Sequence, residues 1–298
     1  RFPMQFGIMN MQLAALVPPG SATVQSAMAH IMGFDHAGLV SGLADQGFNP
    51  IELGGDLMLF FPGAYAPPSI ERLAARKADK GLRYTVHLPL WSVEPSTPLG
   101  PVRQGSAQAL IDCVRATLPL EPECYVLHAT GALAAEFTQM RLPAEGKGLI
   151  LKQFQTYAVE SIRRLLGETG LPPRKLALET IEFPFDLTFE MAEMLDTSIC
   201  LDTGHVLTGF SGPVALFDVL EQVLPRLGEI HLHDAPWQGE QHVIGYGKDH
   251  QPLGAGDLDT PRLLRRLRAA RWDGPIVFEL TVAQALQSLA VIRGLGIE

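Results

Sequence analysis

Cysteine is scarce, charge is sparse and long apolar runs are missing from this chain of 298 residues. The three cysteines, Cys113, Cys124 and Cys200, are odd in number and form no CxxC pair, which argues against a disulfide framework or a thiolate metal site. Each lies in an apolar context, so buried thiols in a reducing compartment, the cytoplasm by default, are expected. No stretch of about 18 uninterrupted apolar residues occurs, so no membrane-spanning helix is expected. Basic residues are outnumbered, 23 Lys and Arg against 32 Asp and Glu, for a formal net charge of −9. A protein gripping a nucleic-acid backbone needs a basic footprint, so nucleic acid is not the expected partner. The arginines of PRLLRRLRAAR fall at helical spacing and read as a solvated helix face. No GxGxxG follows the first strand, and the glycines of HQPLGAGDLD and GYGK lack the Lys-Ser/Thr ending of a phosphate loop. The first residue is Arg, the mark of a trimmed or processed chain, and RFPMQFGIMNMQLAAL reads as a first strand and loop rather than a signal peptide.

With 47% hydrophobic and 18% charged residues, the chain has ample material for a large core. Short apolar runs alternate about eight times with longer segments of helical period. The expected strands are Phe6–Met9, Ile51–Leu53, Tyr84–Leu88, Tyr125–Ala129, Leu176–Thr180, Ile199–Asp202, Glu229–His233 and Ile276–Leu280. Helices are expected near 35–46, 70–80, 104–117, 148–167, 188–196, 214–226, 260–270 and 282–294, with caps at Asp35, Ser69, Asp186 and Asp259. Strict alternation implies right-handed crossovers and a parallel sheet. With no linker or boundary in view, the expectation is an α/β fold, a single (β/α)8 TIM barrel spanning residues 1–298. A doubly wound open sheet is the rival.

Acidic and imidazole side chains end most of these runs: His87, His128, Glu179, Asp202, His205, His231, His250 and Glu279. In a closed parallel barrel they would converge at one mouth, where such barrels keep their chemistry. Imidazole nitrogen and carboxylate oxygen are ligands for zinc and similar cations. Glu179, central in strand order, is the natural bridge. His87 and His128 could complete one site, Asp202, His231 and Glu279 a second, and His205 with His250 a third. His233 points to the same interior and is expected to contact substrate or orient a ligand. Glu182 and Asp234 could orient ligands, cap a helix or lie on the surface, while His30, His36 and His242 read as incidental. Met58, Leu59, Phe60, Phe61, Tyr65 and Trp91 fall in loops at the proposed mouth. Phe60, Phe61, Tyr65 and Trp91 are therefore candidate substrate contacts, or else cover the helix ring or a dimer face.

The segments TVHLP, VLHAT, ALETIE, CLDTGH, IHLHD, HQPLGAG and VFEL occur in an order that resembles the endonuclease IV-like branch of the xylose isomerase-like barrels, also called AP endonuclease family 2. The resemblance covers nearly the whole chain. It implies three zinc ions: the first on His87, His128 and Glu179, the second on Glu179, Asp202, His231 and Glu279, the third on His205 and His250. One ligand departs, because the family's aspartate two residues before His250 is Lys248 here. Asp249 is adjacent and substitutes only if the loop shifts register. Related sugar isomerases and epimerases use one cation on the equivalents of Glu179, Asp202, His231 and Glu279, with the two glutamates moving protons. Many carry an arginine after the strand-seven histidine, which HLHDAPWQGEQ lacks.

The leading expectation is a divalent-metal-dependent phosphodiesterase, acting on a bulky small-molecule phosphodiester with Glu179, Glu279 and His205 in catalysis. Its cofactor would be two to three cations, zinc first, with manganese or iron(II) as alternatives. The cobamide-remodelling phosphodiesterases are one named relative of that kind. The alternatives are a single-metal sugar isomerase or epimerase with Glu179 and Glu279 as the acid–base pair, an AP endonuclease acting on DNA, and a non-catalytic binding protein. Oligomeric state is left open.

Overall fold

The computed structural model describes residues 4–12, 23–238 and 244–296. His242 and the MQLAALVPPG loop from residue 13 onward lie outside them. The strands are β1 (Phe6–Met9), β2 (Ile51–Gly54), β3 (Tyr84–His87), β4 (Tyr125–Leu127), β5 (Leu176–Glu179), β6 (Ser198–Asp202), β7 (Leu227–His231) and β8 (Ile276–Phe278). They pair in sequence order and close into a barrel. Parallel pairing of Phe6 with Ile276 and Ile8 with Phe278 joins the last strand to the first. An open doubly wound sheet would leave two edges, so the rival architecture is set aside.

The eight expected helices are found as α2 (His36–Asp45), α4 (Pro67–Lys80), α5 (Gly100–Thr117), α7 (Ala144–Thr169), α8 (Phe185–Leu195), α10 (Leu216–Val223), α11 (Thr260–Ala269) and α12 (Val282–Gly294). The remaining labels belong to four helices the periodicity did not announce: α1 (Val24–Met32), α3 (Leu57–Phe60), α6 (Ala132–Gln139) and α9 (Thr203–Leu207). Two are single turns of 4 and 5 residues, too short to show a period. Asp259 caps α11 as expected, accepting the Arg262 amide at 3.0 Å. Ser69 does not cap α4, because the helix already starts at Pro67, whose fixed φ suits a first helical position. Asp186 lies inside the first turn of α8, and Asp35 precedes α2 without a side-chain cap bond. Arg265 and Arg268 on α11 are exposed while Leu263, Leu264 and Leu267 are buried, the solvated face that the spacing indicates. Among the described residues, no helix is long and apolar enough to cross a membrane.

Successive strand side chains face opposite ways, which separates two cores. Leu178, Leu201 and Ile230 point outward and join the large core between barrel and helices. Cys124, Val126, Ala177 and Cys200 form a small cluster of their own inside the barrel. Two residues on, the same inward face presents Glu179 and Asp202. The interior also holds Thr85, whose hydroxyl donates to Glu229 Oε1 at 2.9 Å. Burial and the neighbouring Glu52 push the Glu229 carboxyl well above the usual carboxylate range. All three cysteines are buried free thiols, and burial raises Cys113 to about 12.

His36 is not incidental. Its Nδ1–H donates to the Ala64 carbonyl at 2.9 Å, and its Nε2 accepts from Asn10 Nδ2 at 2.7 Å, so the neutral ring ties α2 to the end of β1. Burial lowers its pKa from 6.5 to about 4 despite the opposing Ala64 bond. The unfolded chain therefore binds the proton first as pH falls. The stability this neutral ring contributes is complete above pH 6.5 and is lost toward pH 4, about 3 kcal/mol across the window. Urea unfolding from pH 7 to pH 4 should show a shallower loss in His36→Gln than in wild type. Identical slopes would rule the assignment out.

Candidate metal centre

Four of the expected residues are the last of their strands: His87 on β3, Glu179 on β5, Asp202 on β6 and His231 on β7. His128 and Glu279 stand just past the ends of β4 and β8, both shorter than the sequence pattern indicates. Register aligns Asp202 with His231 across neighbouring strands. The closed barrel thus brings all six to one rim. His87 Nε2 and His128 Nε2 stand 3.1 and 3.0 Å from the same oxygen, Glu179 Oε2. His205 Nδ1 lies 3.1 Å from the other, Glu179 Oε1. His231 Nδ1 faces Glu279 Oε1 at 3.3 Å, Glu179 Oε2 at 3.6 Å and Asp202 Oδ2 at 3.9 Å.

Local chain geometry explains the strand-six motif. Asp202 Oδ1 accepts the His205 amide at 2.7 Å, so the carboxylate that ends β6 also caps α9 and fixes where His205 points. Thr203 Oγ1 donates to the His233 carbonyl at 2.7 Å, clamping β6 to β7. A Cβ at Gly204 would overlap the His233 ring, so only glycine lets that ring approach.

Two sets could each hold a cation: His87, His128 and Glu179, and separately Glu179, Asp202, His231 and Glu279. The test of fit is in the orphaned atoms. Glu179 Oε1, His205 Nδ1 and His231 Nδ1 are buried without a hydrogen-bond partner, although ligand-type atoms face them at 3.1–3.3 Å. The groups are close but not aligned for hydrogen bonds. Atoms sharing one cation at about 2.0–2.2 Å stand roughly 3–3.5 Å apart, which is this spacing. Charge agrees with geometry. Burial alone would lower His87, His205 and His250. Glu179 instead lifts His87 to about 10, Asp202 and Glu179 lift His205 to about 9, and Asp249 and Glu279 lift His250 to about 11. Burial would raise Glu179, yet His128 and His231 hold it well below the carboxylate range. Protons and a divalent cation compete for this charge, so cation binding displaces imidazole protons.

The proposed third set is looser. His205, His233, His250 and Glu279 gather within ligand distance. The His233 ring, however, is spent at both nitrogens. Nε2 meets Asp202 Oδ2 at 2.9 Å, and Nδ1 accepts the His250 amide at 2.9 Å. Fully buried, His233 is held between Asp202 and the His250 amide, the geometry of the ligand-orienting alternative. Asp249 does reach the site, its Oδ2 lying 2.7 Å from His250 Nδ1 and 3.8 Å from His205 Nε2. His250 adopts φ 54°, a left-handed conformation costly for a non-glycine residue and typical of functional sites.

At the mouth, Phe60 and Trp91 are 44% and 57% exposed and meet edge to face with centroids 5.9 Å apart. Phe61 and Tyr65 are not there. They are 2% and 6% exposed, Phe61 stacking on Phe34 at 3.8 Å and Tyr65 donating its hydroxyl to the Gly54 carbonyl. The α3 turn rotates them inward, so both are core residues and not substrate contacts. A cavity of about 270 Å³ covers the metal-type residues and is walled by Trp91, Leu90 and Met11. A second of about 670 Å³ runs outward past His128 and His205 to Phe210, Tyr246 and Glu182. Among the described residues, no lysine or arginine lines either one. Glu182 accepts from the Tyr246 hydroxyl at 2.7 Å, away from the ligand set, while Asp234 holds the amides of Gly254 and Leu258 and so orders the loop carrying His250.

Sequence reasoning missed Glu52 and Asp56. Glu52 Oε2 stands 3.1 Å from His231 Nε2, and Asp56 Oδ2 accepts the amides of Leu90 and Trp91, setting the loop that carries Trp91. A lone acid inside the apolar run IEL was the available signal for Glu52.

The family described as xylose isomerase-like TIM barrel matches residues 40–295. An uncharacterized protein of Methanocaldococcus jannaschii is 21% identical over 237 residues, covering 76% of this chain and 75% of that one. The solved 3-keto-D-glucoside 4-epimerase of E. coli superposes with TM-score 0.67 at 19% identity, covering 98% of this chain and all of that one. Endonuclease IV of Thermus thermophilus superposes with TM-score 0.63 at 17% identity, covering 98% of each chain. At these identities the two structures speak for the fold alone. The protein belongs to the xylose isomerase-like TIM barrel family.

Proposed function

We propose that the protein is a divalent-metal-dependent hydrolase of a bulky small-molecule phosphodiester, working with two cations that share Glu179. The observation that carries this reading is the convergence of His87 Nε2 and His128 Nε2 on one Glu179 oxygen. It adds a second cation set to the four residues that one cation alone would need. When bound, such a metal pair supplies an activated water and positive charge for phosphoryl oxygens. Zinc is the expected ion, and manganese or iron(II) would take the same nitrogen and oxygen atoms. Glu279 lines the inner cavity, and in this reading it would accept a proton from the attacking water. His205 lines both cavities, so it stands where the departing oxygen would leave and can hand it a proton. A lining without lysine or arginine leaves phosphate recognition to the cations and favours an uncharged remainder over duplex DNA.

The test is hydrolysis of bis(4-nitrophenyl) phosphate by the zinc- or manganese-loaded protein. Metal-dependent release of nitrophenol is expected. Inertness toward phosphodiesters together with epimerisation of free ketohexoses would overturn the reading. Trp91, exposed over both cavities, would stack on the substrate remainder. Trp91→Ala should then raise KM about tenfold, the equivalent of about 1.4 kcal/mol, with kcat nearly unchanged. An unchanged KM would remove Trp91 from the binding surface.

A second reading is a single-metal sugar epimerase. It is favoured by the completeness of the Glu179, Asp202, His231 and Glu279 set and by a lining that, among the described residues, has no lysine or arginine. The E. coli neighbour's name points the same way. In that reaction Glu179 and Glu279 would move the protons, and His87 would be dispensable.

A further inference from the structure

We infer that Glu52 is the positioning residue that makes His231 a cation-binding imidazole. The inference rests on the reading above only in taking Glu179, Asp202, His231 and Glu279 to hold a cation, which the hydrolase and epimerase readings share. Glu52 stands in β2 and reaches across the barrel interior to β7. Its Oε2 lies 3.1 Å from His231 Nε2, and the two residues are 1% and 0% exposed. A neutral imidazole has one N–H to place, and a buried carboxylate at Nε2 fixes it there. The Nδ1 lone pair is then left facing Glu279, Glu179 and Asp202 at 3.3–3.9 Å, with no hydrogen-bond partner. Three carboxylate oxygens around that nitrogen call for positive charge between them, which a bound cation would supply in place of the imidazole proton. His87 is set by a weaker device, its Nδ1–H donating to the Leu88 carbonyl at 2.9 Å. A carboxylate also makes the imidazole a stronger donor to metal, and losing such a partner typically weakens metal binding about 10–100-fold. Glu52 is 1% exposed and borders the inner cavity, but its hydrogen-bond partner is His231, so its effect on a cation passes through that ring.

The test is zinc affinity by chelator competition and the visible spectrum of cobalt(II)-loaded protein, for wild type, Glu52→Gln and Glu52→Leu. Thermal unfolding of the metal-free proteins controls for the fold. Glu52→Gln, which still accepts the Nε2–H but lacks the charge, should bind zinc about tenfold more weakly. Glu52→Leu should lose up to about a hundredfold, with shifted cobalt bands. If the leucine variant does not fold, the glutamine variant alone decides. Wild-type affinity and spectrum in Glu52→Gln would overturn the assignment of Glu52 alone. Failure of the wild type to take up any cation would overturn both this inference and the proposed function.

Discussion

Glu179→Gln is expected to eliminate turnover, by at least about a thousandfold, while leaving the far-ultraviolet circular dichroism and the unfolding midpoint of the metal-free protein close to wild type. Glu179 is shared by the His87, His128, Glu179 set and the Glu179, Asp202, His231, Glu279 set, and its two oxygens face His87, His128, His231 and His205 at 3.0–3.6 Å. Loss of a single charge-stabilising group in an active site costs about 10²–10³ in kcat. Glutamine keeps the shape but removes the negative charge that would hold two cations together, so the loss should exceed that range. The fold should survive, because the carboxylate's buried neighbours are imidazoles that the neutral amide can still meet with either its oxygen or its NH₂ group. Wild-type turnover in this variant would show that the rim cluster is not the reaction centre.

His87→Ala carries the second large effect, and it separates the two functional readings. If His87, His128 and Glu179 hold a working cation, removing one of two imidazoles from a three-residue set should cut phosphodiester hydrolysis about a hundredfold or more and lower bound metal by about one ion per chain. Asp202, His231 and Glu279 would keep their own cation. Under the epimerase reading the same variant would keep its activity and its one ion. Full hydrolytic activity in His87→Ala would contradict the two-cation account directly.

The barrel was legible because its strands are buried on both faces and read as short continuous apolar runs, most of them closed by an acid or imidazole. IVFEL and CLDTGH show both features at once. Strand ends were less legible. β4 stops at Leu127 rather than Ala129, because pairing ceases where His128 turns toward Glu179, and pairing leaves no mark in composition. The single-turn helices α3 and α9 escaped because 4 and 5 residues are too few to show a period, and with α3 went the placement of Phe61 and Tyr65. Nothing in LFFPGAYAPP says which aromatic faces solvent. His233 was legible as interior and as a candidate to orient a ligand, but not that its partner is Asp202, since that depends on Gly204 admitting its ring. Glu52 was visible as a lone acid in an apolar strand, but its partner lies 179 positions away on β7, and only barrel closure brings them together.

In the proposed hydrolase two cations share Glu179 at the rim of the barrel. An anomalous-diffraction map of zinc-loaded crystals tests it most directly. The predicted result is a pair of peaks about 3.5–4 Å apart flanking Glu179, one contacting His87 and His128 and the other contacting Asp202, His231 and Glu279. A single peak on Glu179, Asp202, His231 and Glu279, with nothing between His87 and His128, would contradict it.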